Sequence, residues 1–198
     1  DVEERLTVGY LVDGQWRDRW RDTEAADGSF VRPDAKIRNW ITPGGEGGFK
    51  AEPGRYHLYI AQSCPWAHRA MIFRRLKGLE DMISVSVVNP ISGANGWTFE
   101  EGHGVVPDPE IDARYLYQVY QHSDPNYSGM VTVPTLWDKS TSKLVSNESS
   151  EIVRMFNSAF DEVGALEGDY SPRELRKELD EVNDLVYPAI NNGVYRVG

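Results

Sequence analysis

Apolar and polar residues alternate over Tyr56-His57-Leu58-Tyr59-Ile60, a period of two that predicts a strand. Ile83-Ser84-Val85-Ser86-Val87-Val88 alternates in the same way and is rich in β-branched residues, which predicts a second strand. Between them, Ala67-His68-Arg69-Ala70-Met71-Ile72-Phe73-Arg74-Arg75-Leu76-Lys77 reads as a helix, with Gly78 placed to stop it. The three elements have about the length that a parallel strand pair with a helical crossover requires. Helical spacing returns from Ile111 to His122, with Ala113, Leu116, Tyr117 and Tyr120 on one side. Val131 to Trp137 reads as a strand interrupted by Pro134, and Lys143-Leu144-Val145 follows as in a hairpin. Asn147-Glu148-Ser149-Ser150 then opens a helix running from Glu151 to about Phe160.

The stretches between these elements carry their own signals. Residues 89 to about 110 hold Asn89-Pro90, Gly93, Asn95-Gly96, Gly102, Gly104, Pro107 and Pro109, so they predict a long functional or mobile loop. Trp97 lies in that loop, where it either covers a ligand or pins the loop itself. Residues 1–54 place Trp16, Trp20, Phe30, Trp40 and Phe49 in polar sequence; they read as an irregular extension packing aromatic anchors on a core. Asp161 to Tyr170 reads as a linker. Ser171-Pro172-Arg173-Glu174 reads as a capping box, followed by a helix with Leu175, Leu179, Val182, Val186 and Ile190 on one face. Nothing after that face covers it, so more chain or another subunit is expected to do so.

The order β-α-β, long loop, α-β-β-α is that of a thioredoxin-like α/β domain. We expect residues 55–162 to form that domain and 170–198 to begin an all-α domain that this chain cuts short. Inside a strand, proline needs a reason. One reason is a cis bond that re-aims the backbone and leaves the polar groups of Val133 to pair with an extended ligand. The other is an ordinary edge strand with a trans proline.

Cys64 is the only cysteine among 198 residues. It follows the first strand and precedes Pro65, a residue suited to a first helical turn. At a helix N-terminus a thiol meets unpaired amide donors and the positive end of the dipole, which favour the reactive thiolate. A free cysteine can also pack as a small hydrophobe, but the strand–Cys–Pro–helix context favours the reactive role. The spacing is that of Cys-x-x-Cys, yet the fourth position is Ala67. A mixed disulfide on Cys64 would therefore need a second thiol from outside, and in a cytosol the abundant one is glutathione. A lone cysteine also excludes an internal disulfide framework and fits a reducing compartment. With 21 basic and 31 acidic residues the formal charge is −10, with no dense basic patch, so nucleic acid is not an expected partner. No apolar run reaches the roughly 20 residues of a membrane span, no signal peptide is apparent at Asp1, and four histidines without clustering predict no metal site.

Seven stretches together resemble one family. They are Ser-Cys-Pro-Trp-Ala-His-Arg (63–69), Val-Val-Asn-Pro (87–90), Asn-Gly-Trp-Thr-Phe (95–99), Asp-Pro-Asn-Tyr-Ser-Gly (124–129), Thr-Val-Pro-Thr-Leu-Trp-Asp (132–138), Ser-Asn-Glu-Ser-Ser-Glu-Ile (146–152) and Asn-Asn-Gly-Val-Tyr (191–195). The family is that of the glutathionyl-hydroquinone reductases, the xi class of glutathione transferases. The resemblance implies a glutathione transferase N-terminal domain, glutathione as co-substrate, glutathionyl-hydroquinones as substrates, a homodimer, and a cytoplasmic location. It implies Cys64 as nucleophile and Val133, before a cis Pro134, as the backbone partner of the cysteinyl part of glutathione. Glu148 and Ser149 would hold the γ-glutamyl end, Trp97 would lie against the bound tripeptide, and Tyr195 would assist the departing hydroquinone. The chain departs from the family at Met130, where members usually carry arginine, so the resemblance does not carry over one contact to a glutathione carboxylate. Two other readings stay open from the sequence: an omega-like thioltransferase or dehydroascorbate reductase, and a non-catalytic glutathione-binding module.

Overall fold

The computed structural model describes residues 9–18 and 33–197. Trp20 and Phe30, two of the expected aromatic anchors, lie outside the described residues. The chain divides into two compact units, drawn from Asp1–Trp20 with Ala35–Gly168, and from Arg21–Asp34 with Asp169–Gly198.

In the first unit the N-terminal stretch is less irregular than expected. β1 (Tyr10–Val12) and β2 (Gln15–Arg17) form an antiparallel hairpin. Its turn is Asp13-Gly14, with φ of 46° and 72°, and an Asp-Gly pair between short strands is a strong hairpin signal. β3 (Ile41–Thr42) and β4 (Phe49–Lys50) form a short parallel pair.

β5 (Tyr56–Ala61), α1 (Pro65–Leu76) and β6 (Ile83–Val88) form the predicted strand–helix–strand unit, with β5 and β6 parallel and paired from Tyr56↔Ile83 to Ala61↔Val88. Gly78 takes φ 62° just past α1, a conformation open to glycine at little cost. After the long loop come α2 (Leu116–Ser123), β7 (Gly129–Met130), β8 (Thr135–Asp138), β9 (Lys143–Ser146) and α3 (Ser149–Ser158). The main sheet is four-stranded in the order β6-β5-β8-β9, with β8 antiparallel to both neighbours. β5 is buried along its whole length, as a central strand covered on both faces should be. Pleat alternation sends Tyr56 toward α3, where its ring meets Phe160 edge-on at 6.0 Å. His57 and Tyr59 face the opposite way, toward the 99–113 loop, where the Tyr59 hydroxyl donates to Asp108 at 2.9 Å.

Three elements differ from expectation. The helix predicted from Ile111 begins at Leu116. The Asp108 carboxylate captures the amides of Glu110, Ile111 and Ala113, which holds that stretch in a turn. The Gln118 side chain takes the Arg114 and Tyr115 amides and so starts the helix after them. The Asp161–Tyr170 stretch is not a free linker at its start. Buried Lys77 ion-pairs with Asp161 at 2.8 Å and donates to the Gly168 carbonyl at 2.7 Å, drawing the segment onto the end of α1. The capping box at Ser171 does not form: Arg173–Leu175 is a 3₁₀ turn with no side-chain cap, and the helix proper, α4 (Arg176–Val186), starts later.

In the second unit α4 is followed by a π-helical turn, Tyr187–Asn191, and α5 (Val194–Val197). The expected apolar face is present but exposed, with Leu175, Leu179, Val182 and Ile190 all open to solvent.

Candidate active site

α1 begins where Pro65 supplies a first-turn residue with no N–H to satisfy. Cys64 is its N-cap residue, in extended geometry with φ −95° and ψ 114°. Its own amide bonds back to Ala61 at the end of β5 at 3.1 Å, and its carbonyl accepts the His68 amide at 3.0 Å. The side chain is half-buried, neither sealed in the core nor fully open. Ala67, where a second thiol would stand, is fully buried.

The Cys64 thiol donates to the Val133 carbonyl at 3.4 Å. Val133 precedes Pro134 through a cis peptide bond, and neither residue belongs to β8, which starts at Thr135. The segment is fixed from α2: the buried Tyr120 hydroxyl bonds the Thr132 carbonyl at 3.0 Å and the Thr135 hydroxyl at 2.7 Å. Burial pushes that phenol above its ordinary pKa, so it stays neutral and able to donate. Val133 is buried beside the thiol.

α3 begins at Ser149, with Glu148 as N-cap. The Glu148 carboxylate accepts the Ser150 amide at 2.9 Å, and its own amide bonds the Ser146 hydroxyl at 3.1 Å. Ser149 is buried in the first turn. Helix-start amides and the dipole there favour an anionic group.

Arg69, on α1, also feels the charge of Glu148 at the start of α3. It lies one turn beyond Trp66, with its guanidinium over that ring at 5.5 Å. Burial pulls its pKa below the ordinary guanidinium value, the Glu148 charge acts against that shift, and Arg154 acts with it. In the sequence it stood out only as the last residue of the 63–69 stretch.

Trp97 is half-buried on the long loop, packed against the core. Its carbonyl accepts the Leu116 amide at 2.9 Å. The start of the same loop is tied to the cysteine turn, since the Ser63 hydroxyl donates to the Pro90 carbonyl at 3.2 Å. Cys64 and Val133 are thus in direct contact, and Trp97, Glu148 and Ser149 belong to the same compact unit. Tyr195 does not: it lies in α5 of the second unit, 39% exposed. Met130 sits in β7, paired with Tyr10 of the hairpin. Among the described residues there is no group of three or more His, Cys, Asp or Glu able to hold a metal ion, and no helix long and apolar enough to cross a membrane.

Residues 63–159 match the family model for the glutathione S-transferase N-terminal domain. The chain is 57% identical over 191 residues to the glutathionyl-hydroquinone reductase PcpF of Sphingobium chlorophenolicum, a match covering 96% of this chain and 60% of that protein. Among solved structures, it superimposes on glutathione-bound YqjG, a glutathione transferase homologue from Escherichia coli K-12, with a TM-score of 0.83 at 50% identity, covering 94% of this chain and 57% of that one. On the xi-class glutathione transferase from Natrialba magadii the TM-score is 0.88 at 43% identity, covering 99% of this chain and 60% of that one. The chain therefore spans about three fifths of the length of the curated relatives it matches.

Proposed function

We propose that the chain, which is similar to glutathionyl-hydroquinone reductases and to xi-class glutathione transferases, belongs with them and removes glutathione from glutathionyl-hydroquinones through Cys64. In this reading residues 55–162 form the glutathione-binding domain and 170–198 begin a helical domain. The tripeptide runs past Val133, whose backbone pairs with its cysteinyl part. Its γ-glutamyl end meets Glu148 and Ser149, with Trp97 against its flank.

The Cys64 thiolate attacks the glutathione sulfur of the adduct. A sulfur–sulfur bond forms as the carbon–sulfur bond breaks, and the electron pair leaves on the ring carbon. That carbon takes up a proton, with Tyr195 as donor, and the hydroquinone departs. A second glutathione thiolate attacks the mixed disulfide, which frees the Cys64 thiolate and releases glutathione disulfide. Because Ala67 replaces a second thiol, this external step is obligatory. A homodimer in a reducing cytoplasm, where a single thiol stays available, completes the reading.

The observation that supports it most directly is the half-buried Cys64 thiol at the N-cap of α1, 3.4 Å from the carbonyl of Val133, the residue before the cis bond to Pro134. Two measurements test it. Incubation with glutathione disulfide is expected to add the mass of one glutathionyl group to Cys64. Cys64→Ala is expected to abolish glutathione-dependent reduction of glutathionyl-menadione, and undiminished turnover rejects the assignment. A faster rate on dehydroascorbate than on the adduct would instead favour omega-type chemistry.

A further inference from the structure

We propose that the β1–β2 hairpin is a positioning element for the glutathione groove, with Trp16 as the residue that sets the Trp97 loop. The proposal rests on the reading above, in which Trp97 and Val133 flank bound glutathione.

A two-stranded hairpin this short is marginal by itself, yet this one is fastened on two sides. On one side β1 pairs antiparallel with β7, Tyr10↔Met130 and Leu11↔Gly129, three residues before Val133. The turn adds further bonds: the Asp13 amide donates to the Ser128 hydroxyl at 2.7 Å, the Gly14 amide to the Tyr127 carbonyl at 3.0 Å, and the Gln121 side chain to the Gly14 carbonyl at 2.6 Å.

On the other side Trp16 reaches the loop that carries Trp97. Its indole N–H donates to the Ala94 carbonyl at 3.0 Å. Its ring lies against Gly96, the residue next to Trp97, so closely that a Cβ there would stand 2.7 Å from the indole; Gly96 also takes φ 68°. The far side of the ring system is held by stacking on Tyr117 at 4.8 Å and 21°, and Tyr117 stacks in turn on Tyr115 at 5.4 Å. The loop itself supplies small residues, Gly93, Ala94 and Gly96, bonded to one another across a tight turn by the Gly93–Gly96 amide and carbonyl pairs. Such a stretch has little side-chain packing of its own to set its position. Trp16 supplies that packing. The hairpin thereby joins the two arms of the groove while contributing no reactive group to it.

A positioning role separates binding from chemistry. In the complete protein, Trp16→Ala is expected to raise KM for glutathionyl-menadione about fivefold, the size of one ordinary hydrogen bond. It should leave kcat and the rate of Cys64 alkylation by iodoacetamide at the parent values. Trp16→Phe keeps an aromatic ring for Tyr117 but loses the bond to Ala94 and the outer indole ring against Gly96, so it should shift KM the same way without loss of fold. The double variant Trp16→Ala/Trp97→Ala should be no worse than Trp97→Ala alone. The proposal is overturned by an unchanged KM in both Trp16 variants, or by a double variant whose KM increase is the product of the two singles. An unchanged KM in Trp97→Ala overturns the underlying assignment of Trp97, and the proposal with it, whatever the Trp16 variants do.

Discussion

Ala67 determines what kind of thiol chemistry Cys64 can do. It stands at the third helical position of α1, fully buried, where a second cysteine would close a disulfide with Cys64. Ala67→Cys is expected to convert the external release step into an internal one. The variant should discharge the Cys64 mixed disulfide without added glutathione and lose two titratable thiols on oxidation. The added sulfur must fit a packed site, so the reduced variant should lose about 1–3 kcal/mol of stability in urea titrations. Retention of a stable mixed disulfide would mean that the two positions cannot pair and that the reading of the helix start is wrong. Cys64, Pro65 and Ala67 were all legible from the sequence, because a helix start is written in adjacent residues. Arg69 was not, because its meaning depends on Glu148, which another helix brings to it.

At the scale of elements, β5 and β8 are joined by a charge pair that the alternating pattern does not announce. Arg55, just before β5, grips Asp138 at the end of β8 with two bonds, at 2.8 and 2.7 Å. Asp138 is fully buried and Arg55 nearly so. Burial alone would raise the Asp138 carboxyl, but the Arg55 guanidinium, the Thr141 hydroxyl and the Ser140 amide outweigh it and hold it below the ordinary value. Arg55→Met leaves that carboxylate buried without its partner. We expect a loss of about 3–5 kcal/mol, read as a lower urea midpoint, whereas a loss below about 1 kcal/mol would show that solvent compensates the charge. The strands themselves followed from their period of two. The start of α2 did not, since Asp108 and Gln118 overrule a helical pattern with side-chain bonds to the backbone.

For the whole molecule, the folding equilibrium carries a proton through His57. The imidazole is fully buried between the sheet and the 99–113 loop. Nδ1 meets the Ser84 hydroxyl at 2.7 Å, and Nε2 has no partner among the described residues. Burial lowers its pKa from 6.5 to about 4; Asp108 opposes the shift, and Lys139 and Arg74 add to it. Glu110 at 3.7 Å is too far to hold a proton on the ring. As pH falls the unfolded chain takes up this proton first. The stability is complete above pH 6.5 and is lost between 6.5 and about 4, by about 3 kcal/mol in all. Urea midpoints measured across that range should show the decline in the parent protein and a smaller one in His57→Phe. Equal slopes would place the acid sensitivity elsewhere.

By itself the sequence determined the elements that neighbouring residues write: the strand before Cys64, the proline at the start of its helix, the glycine that ends it, and the cap at Glu148. Those depend on spacings of two to four residues, and such spacings survive without knowledge of the fold. Only the tertiary structure decided that Cys64 meets Val133, that Arg69 comes under the charge of Glu148, and that Trp16 closes on the loop before Trp97. Each of these joins residues far apart in the chain, and such contacts are selected by packing and by the pairing of buried polar groups, which no local pattern encodes.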